Sequence, residues 1–214
     1  MSEMMKAMAV KKYGKNPVEM IDVPVPEINA EEVLIRVKAA SINPVDFKIR
    51  DGKLKQVMKH QFPLILGNDL AGVVEKVGKD VTQFKVGDKV YGRPDKTKIG
   101  TFAQYFAIDQ HDIALMPSNL DFVEAASIPL VGLTTYQAFH EVMHLKEGDK
   151  VLVQAGSGGV GTFAIQLGRV MGLHVATTVS EKGERLVHEL GADEIINYKP
   201  VSYTHLTLPT TPYV

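Results

Sequence analysis

The chain has 214 residues, 45% hydrophobic and 23% charged, with a formal net charge of −1, which fits one large or two small globular domains and argues against a nucleic-acid or anionic-membrane partner. Cysteine is absent, so disulfides and thiolate zinc sites are excluded. The opening Met1-Ser-Glu-Met-Met-Lys6 lacks the apolar core of a signal peptide, and no stretch reaches membrane-span length, so the expected location is cytoplasmic.

The first half reads as β-rich. Lys6 to Tyr13 and Val33 to Ala40 alternate apolar and polar residues, as half-buried strands do. Pro24, Pro26 and Pro44 punctuate the connections. Leu70 to Gly78 predicts a further strand, with Gly72 marking a bulge or close approach. Val86 to Tyr91 places Gly87-Asp88 at a turn before a short strand, and Thr101 to Ile108 predicts another. Short strands with glycine turns suggest a barrel-like module over residues 1–120. Residues 121–148 then read as linking helices: Asp121 to Ser127, a break at Pro129, Val131 to Met143, and a turn at Glu147-Gly-Asp149.

Residues 149–200 carry the strongest pattern. Asp149 to Ala155 is apolar and β-branched, as a buried parallel strand is. Gly156-Ser157-Gly158-Gly159-Val160-Gly161 fits G-x-G-x-x-G, and Thr162 to Met171 suits a packed helix. Strand, glycine turn and helix together open a dinucleotide fold. Glycine lets the backbone approach a pyrophosphate, and the helix start offers unpaired N–H groups and a positive dipole end. A strand (His174 to Val179), a helix (Glu184 to Leu190, with Gly191 just past its end) and a strand (Glu194 to Tyr198) follow. That is one half of a doubly wound domain. Residues 201–214 show neither helical period nor strand alternation and resemble a translated sequencing-library adaptor, so they are expected to be a non-native tail.

The strand His174 to Val179 ends at Ser180, where NAD-specific folds place an acidic residue for the ribose 2′-hydroxyl. Serine can donate to a 2′-phosphate, and Lys182 and Arg185 can supply positive charge. Glu181 is the contrary sign. The expected cofactor is NADPH, with NADH second; the alternative is that Lys182 and Arg185 form a solvated helix face. Of the histidines, only His140 and His144 share a helical spacing, and no third ligand accompanies them.

Five ordered segments now carry a resemblance: Ser41 to Lys48 (SINPVDFK), Pro63 to Gly72 (PLILGNDLAG), Val77 to Val90 (VGKDVTQFKVGDKV), Gly132 to Tyr136 (GLTTY) and Ala155 to Gly161 (AGSGGVG). The chain resembles the medium-chain dehydrogenase/reductase superfamily, in its zinc-free quinone oxidoreductase branch. The resemblance implies a mixed α/β chain: an N-terminal GroES-like β-barrel domain, then the first half of a Rossmann doubly wound domain. It implies hydride transfer from NADPH to a small-molecule quinone or other conjugated carbonyl. It further implies a C-terminally shortened chain without full activity and a full-length homodimer, with no nucleic-acid or membrane partner.

Where zinc-binding relatives hold their metal, this chain has Ser41 to Asn43 and Gly67-Asn68-Asp69, so Asn68 stands in place of histidine and no metal is expected. A conjugated carbonyl needs only hydrogen-bond donors and a proton, which suits a metal-free site. Asn43 and Asp46 follow a strand end in the segment that the resemblance turns toward the nicotinamide. Asn43 is a candidate donor to the acceptor oxygen and Asp46 a candidate orienting group. The structural alternative is an Asx turn at Asn43-Pro44 with Asp46 capping a helix. Thr134 matches a nicotinamide-side contact; the alternative is a helix threonine bonded to its own backbone. A competing function is a non-catalytic NADP(H)-binding protein or sensor on the same fold. An alcohol dehydrogenase is opposed by the missing metal ligands.

Overall fold

The computed structural model describes residues 3–199. The tail 201–214, expected above to be adaptor-derived, lies outside them. The chain divides into two compact units, one ending at Leu130 and one starting at Val131.

The first unit holds two antiparallel sheets. β1 (Met4–Val10), β2 (Glu19–Pro24) and β4 (Leu64–Ile65) form a three-stranded sheet in the order β2-β1-β4. Met5, Ala7 and Ala9 face inward along β1, the period-2 burial of a one-sided strand. β3 (Glu32–Ala39), β5 (Leu70–Val77), β6 (Lys89–Gly92), β7 (Tyr105–Asp109) and β8 (Ile113–Leu115) form the larger sheet, ordered β7-β3-β5-β6-β8. Its core is Val33, Ile35, Leu70, Val74, Val90, Phe106 and Ile108, each such side chain contributing about 1.5–3 kcal/mol by leaving water. A Cβ on Gly72 would lie 2.4 Å from the Arg36 carbonyl oxygen, and the β3–β5 register shifts between Val37 and Ala39 beside it. Both functions the sequence offered for that glycine are present. Of the strand expected over Thr101 to Ile108, only Tyr105–Asp109 forms. Gly100 and Phe102 instead give their N–H groups to Gly67 and Leu66, and Gln104 to Lys6.

α1 (Pro44–Arg50) follows β3 and buries Asp46 and Ile49. Ile49 packs with Val10, Leu64 and Leu66 in a second core. α2 (Phe122–Ala126) starts with a reciprocal Asp121–Glu124 capping box and packs Ala125 and Ala126 near Ala71 of β5. α3 (Pro129–Tyr136) begins at the proline expected to break a helix. A first-turn proline loses no intrahelical bond, and its φ is already helical. The run continues as a π-helical segment, Gln137–Val142, closed by the Met143 N–H on the Ala138 carbonyl at 2.9 Å.

In the second unit β9 (Lys150–Val153), β10 (His174–Val179) and β11 (Glu194–Asn197) form a parallel sheet ordered β11-β10-β9. α4 (Gly159–Val170) and α5 (Glu181–Glu189) join the strands. Val151, Val153, Ala164, Ile165, Val175, Val179 and Val187 form the core. Gly191, with φ +95°, follows the Leu190 C-cap of α5, a backbone state that a side chain would strain. Among the described residues, no helix is long and apolar enough to cross a membrane, and no group of three or more His, Cys, Asp or Glu is arranged to hold a metal. His144 Nδ1 donates to the His140 carbonyl at 2.9 Å, and both residues are exposed.

Candidate functional site

Two polar centres stand out, one in each unit. In the second unit β9 ends at Val153, and Ala155 takes φ +54°, a left-handed state uncommon for a residue with a side chain. The Ala155 N–H donates to Thr178 Oγ1 at 3.1 Å and the Gly156 N–H to the Thr178 carbonyl at 3.0 Å. The Gly158 N–H then closes on the Ala155 carbonyl at 2.9 Å.

The motif glycines do different things. A Cβ on Gly156 would fall 2.0 Å from Thr177 Oγ1, and one on Gly161 would fall 2.5 Å from the Ala155 oxygen and 2.7 Å from Gly156 Cα. Those two glycines let strand and helix meet. A Cβ on Gly158 would meet only the Ala155 oxygen, at 3.2 Å, and one on Gly159 only a Val131 methyl, at 3.5 Å. Ser157, Gly158, Gly159 and Val160 are all exposed.

α4 begins at Gly159, three residues before the Thr162 start read from the sequence, and its Gly158 N-cap supplies no side-chain bond. Gly161 therefore lies within the first turn. First-turn amides have no intrahelical acceptor, and the helix dipole adds positive potential there. An open run of such amides fits the phosphates of a dinucleotide.

Ser180 is the half-buried N-cap of α5. A Cβ on Gly183 would fall 2.9 Å from the Ser157 side chain, so Gly183 lets the glycine turn lie against the start of α5. Lys182 is exposed near that start. Arg185, also exposed, directs its Nε to Glu189 at 2.8 Å, one turn toward the far end of the helix. Glu181 is exposed. Thr134 is exposed on α3, and the buried Thr135 beside it gives its hydroxyl to the Val131 carbonyl at 2.9 Å.

In the first unit, Asn43, Asp46, Asn68 and Asp69 are buried together, with relative exposures of 6%, 3%, 1% and 0%. Asn43 is the N-cap of α1, and its N–H donates to Asp46 Oδ2 at 2.6 Å in a capping box. Asn68 Nδ2 donates to Asp46 Oδ1 at 2.7 Å. Asn43 Nδ2 donates to Asp69 Oδ2 at 2.7 Å and to Ser41 Oγ at 3.0 Å, while Ser41 Oγ donates to Asp69 Oδ2 at 2.7 Å. Both amide hydrogens of Asn43 are thus engaged within the cluster. The capping alternative raised for Asp46 is realised in the same bonds that bury it.

Burial pushes both carboxyls above their ordinary range. Hydrogen bonds oppose it, from Asn43, Asn68 and Gly67 at Asp46, and from Ser41, Asn43 and the Leu130 N–H at Asp69. The positive charge of Arg93 also opposes the rise at Asp69. Sequence reasoning passed over Asp69, Thr177 and Thr178. The bonds to Asp69 reach back 26 and 28 residues, and the bond from Ala155 to Thr178 spans 23, so no local spacing announces them.

Comparison with known proteins agrees with this architecture. Residues 29–118 match the alcohol dehydrogenase GroES-like domain. The chain is 37% identical to a mitochondrial NAD(P)H oxidoreductase of Homo sapiens, over 92% of this chain and 55% of that protein. It is 33% identical to a chloroplastic quinone-oxidoreductase homolog of Spinacia oleracea, over 98% of this chain and 66% of that one. Among solved structures, the quinone oxidoreductase of Coxiella burnetii superposes with a TM-score of 0.84 at 37% identity, covering 94% of this chain and 64% of that one. A mycobacterial protein complexed with NADPH superposes at 0.80 with 32% identity, covering 91% and 58%. The chain thus spans between about half and two thirds of the length of the relatives it matches. It carries a GroES-like domain followed by part of a nucleotide-binding fold. Its homologues are NAD(P)H and quinone oxidoreductases of the medium-chain dehydrogenase/reductase superfamily.

Proposed function

We propose that this chain is the greater part of an NADPH-dependent oxidoreductase that reduces quinones or other conjugated carbonyls. The observation that carries the reading is the exposed head of α4, where residues Ser157 to Val160 are open and the Gly159 and Val160 amides begin a helix that has no side-chain cap. Gly156 to Gly161 hold the pyrophosphate. Ser180 and Lys182 take the 2′-phosphate, which favours NADPH over NADH. Arg185 is a weaker contributor, because its guanidinium is bonded to Glu189. Thr134 serves the nicotinamide side. A reduced nicotinamide, when bound, supplies the hydride.

The chain's own residues supply position and polarisation. Asn43 redirects the amide hydrogen now given to Ser41, the longer of its two bonds, to the acceptor oxygen, while Asp69 keeps the other. Asp46 fixes the Asn43 backbone and so the height of that amide. Asn68 already gives its amide to Asp46, and an amide is a poor zinc ligand, which supports a metal-free reaction. A homodimer of the complete protein and a cytoplasmic setting complete the reading; the second rests on the lack of cysteine, which suits a reducing compartment.

Titration of the chain with NADPH and with NADH, followed by nicotinamide fluorescence, tests the cofactor assignment. Tighter binding of NADPH is the expected result, and no binding of either dinucleotide overturns it. Oxidation of NADPH on addition of a simple quinone, measured on the chain extended to the length of its relatives, separates an enzyme from a sensor, which binds without turnover.

A further inference from the structure

The glycine turn is shaped from outside itself. β9 and β10 pair as far as Val153 with Thr177, where β9 ends. β10 continues, and Thr178 pairs on its other side with Ile196 of β11. The β9-side of Thr178 is therefore turned to the chain that has just left the sheet. Its carbonyl takes the Gly156 N–H at 3.0 Å and its hydroxyl takes the Ala155 N–H at 3.1 Å.

Thr177 does different work, because its buried hydroxyl donates to the Val153 carbonyl at 2.7 Å and braces the strand end. Ala155, between these anchors, sits at φ +54°. That state is unfavourable for an L-residue by about 1–2 kcal/mol, so it persists only where neighbours hold it. Its carbonyl orientation matters downstream. It accepts the Gly158 N–H at 2.9 Å, and it lies 2.5 Å from the place a Cβ on Gly161 would occupy.

We propose that Thr178 is a positioning residue for the phosphate turn. Its hydroxyl holds Ala155 left-handed, and Ala155 in turn aims the amides at the head of α4. The inference rests on the dinucleotide reading above and names a residue in β10 on which that reading depends.

The test uses Thr178→Val, which keeps the branched shape and removes the acceptor, and Thr178→Ser, which restores it. Three quantities are measured on the 214-residue chain: NADPH affinity, melting temperature, and hydrogen exchange at the Ala155 amide. Thr178→Val is expected to bind NADPH about fivefold to tenfold more weakly, the loss that one hydrogen bond represents, with Ala155 exchanging faster. Thr178→Ser is expected to return both to within about twofold of the parent.

Unchanged NADPH affinity in Thr178→Val, or an Ala155 amide that exchanges no faster, overturns the proposal. So does a loss of affinity that Thr178→Ser fails to restore and that follows melting temperature in both variants, since that is general destabilisation. A parent chain that binds neither NADPH nor NADH is a different result; it removes the dinucleotide reading, and this inference with it.

Discussion

Asn43, Asp46, Asn68 and Asp69 hydrogen-bond to one another away from water, whereas the head of α4, at Gly159 and Val160, lies in exposed chain. The first centre is made of side chains and is exacting about which ones, because each buried donor has a named acceptor. The second is nearly free of side chains and is exacting about shape. Losing a partner in a buried network leaves desolvated groups unpaired, which is a stability effect. Distorting an exposed turn changes what it can hold, which is a binding effect. The two regions therefore separate folding from ligand affinity in one chain.

The largest expected effect is in the buried cluster. Asp69→Ala removes the acceptor of both Asn43 Nδ2 and Ser41 Oγ and should lower unfolding free energy by about 3 kcal/mol in urea melts. A loss below about 0.5 kcal/mol would show that water reaches the cluster and would erase the contrast. Next is Gly161→Ala. The added carbon meets backbone, at the Ala155 oxygen and Gly156 Cα, so stability should fall by about 1–3 kcal/mol and NADPH binding should disappear. Gly158→Ala sharpens the comparison, since its carbon meets only the Ala155 oxygen at 3.2 Å. Stability should stay within about 0.5 kcal/mol while NADPH affinity falls about tenfold by calorimetric titration; an unchanged affinity would place the phosphates elsewhere. Lys182→Ala should weaken NADPH about fivefold and leave NADH unchanged, and a parallel loss for both would remove Lys182 from the 2′-phosphate site.

The pH dependence of the cluster has a definite sign. Burial raises the Asp69 carboxyl above its ordinary 3.8, so the folded chain holds that proton more tightly than the unfolded chain. The resulting stabilisation is complete below pH 3.8 and is lost as pH rises through the raised folded value. Asp69→Asn has no such proton. Its urea midpoint relative to the parent should therefore rise from pH 3.8 upward and then level off. A constant difference across that window would mean that the carboxyl ionises as easily folded as unfolded.

Much of the fold can be read from local pattern. The alternation along β1, the β-branched run of β9 and the glycine after α5 each determine their own conformation; such patterns give a barrel-like module and the opening of a dinucleotide fold, and the GroES-like expectation comes from the family resemblance. The glycine motif was visible for the same reason: its chemistry is contiguous. Its helix start was not, because Gly159-Val160-Gly161 looks like turn and is held helical by the packing of Gly161 on Gly156. Pro129 reads as a break in the sequence, yet it opens α3, because a first-turn proline costs no intrahelical bond. The buried cluster was legible only in part. Asn43 and Asp46 sit three residues apart in a recognisable cap, but Asp69 and Ser41 join them through tertiary contacts. The amide hydrogens of Asn43 look available in the sequence and are engaged in the fold.

The parallel sheet described above has β9 and β11 as its outer strands, and among the described residues each lacks a strand neighbour on one flank. Such flanks carry rows of unmatched amides and carbonyls that recruit any extended peptide able to lie alongside. Association through these edges is therefore expected to rise with concentration, and light scattering across a dilution series checks it.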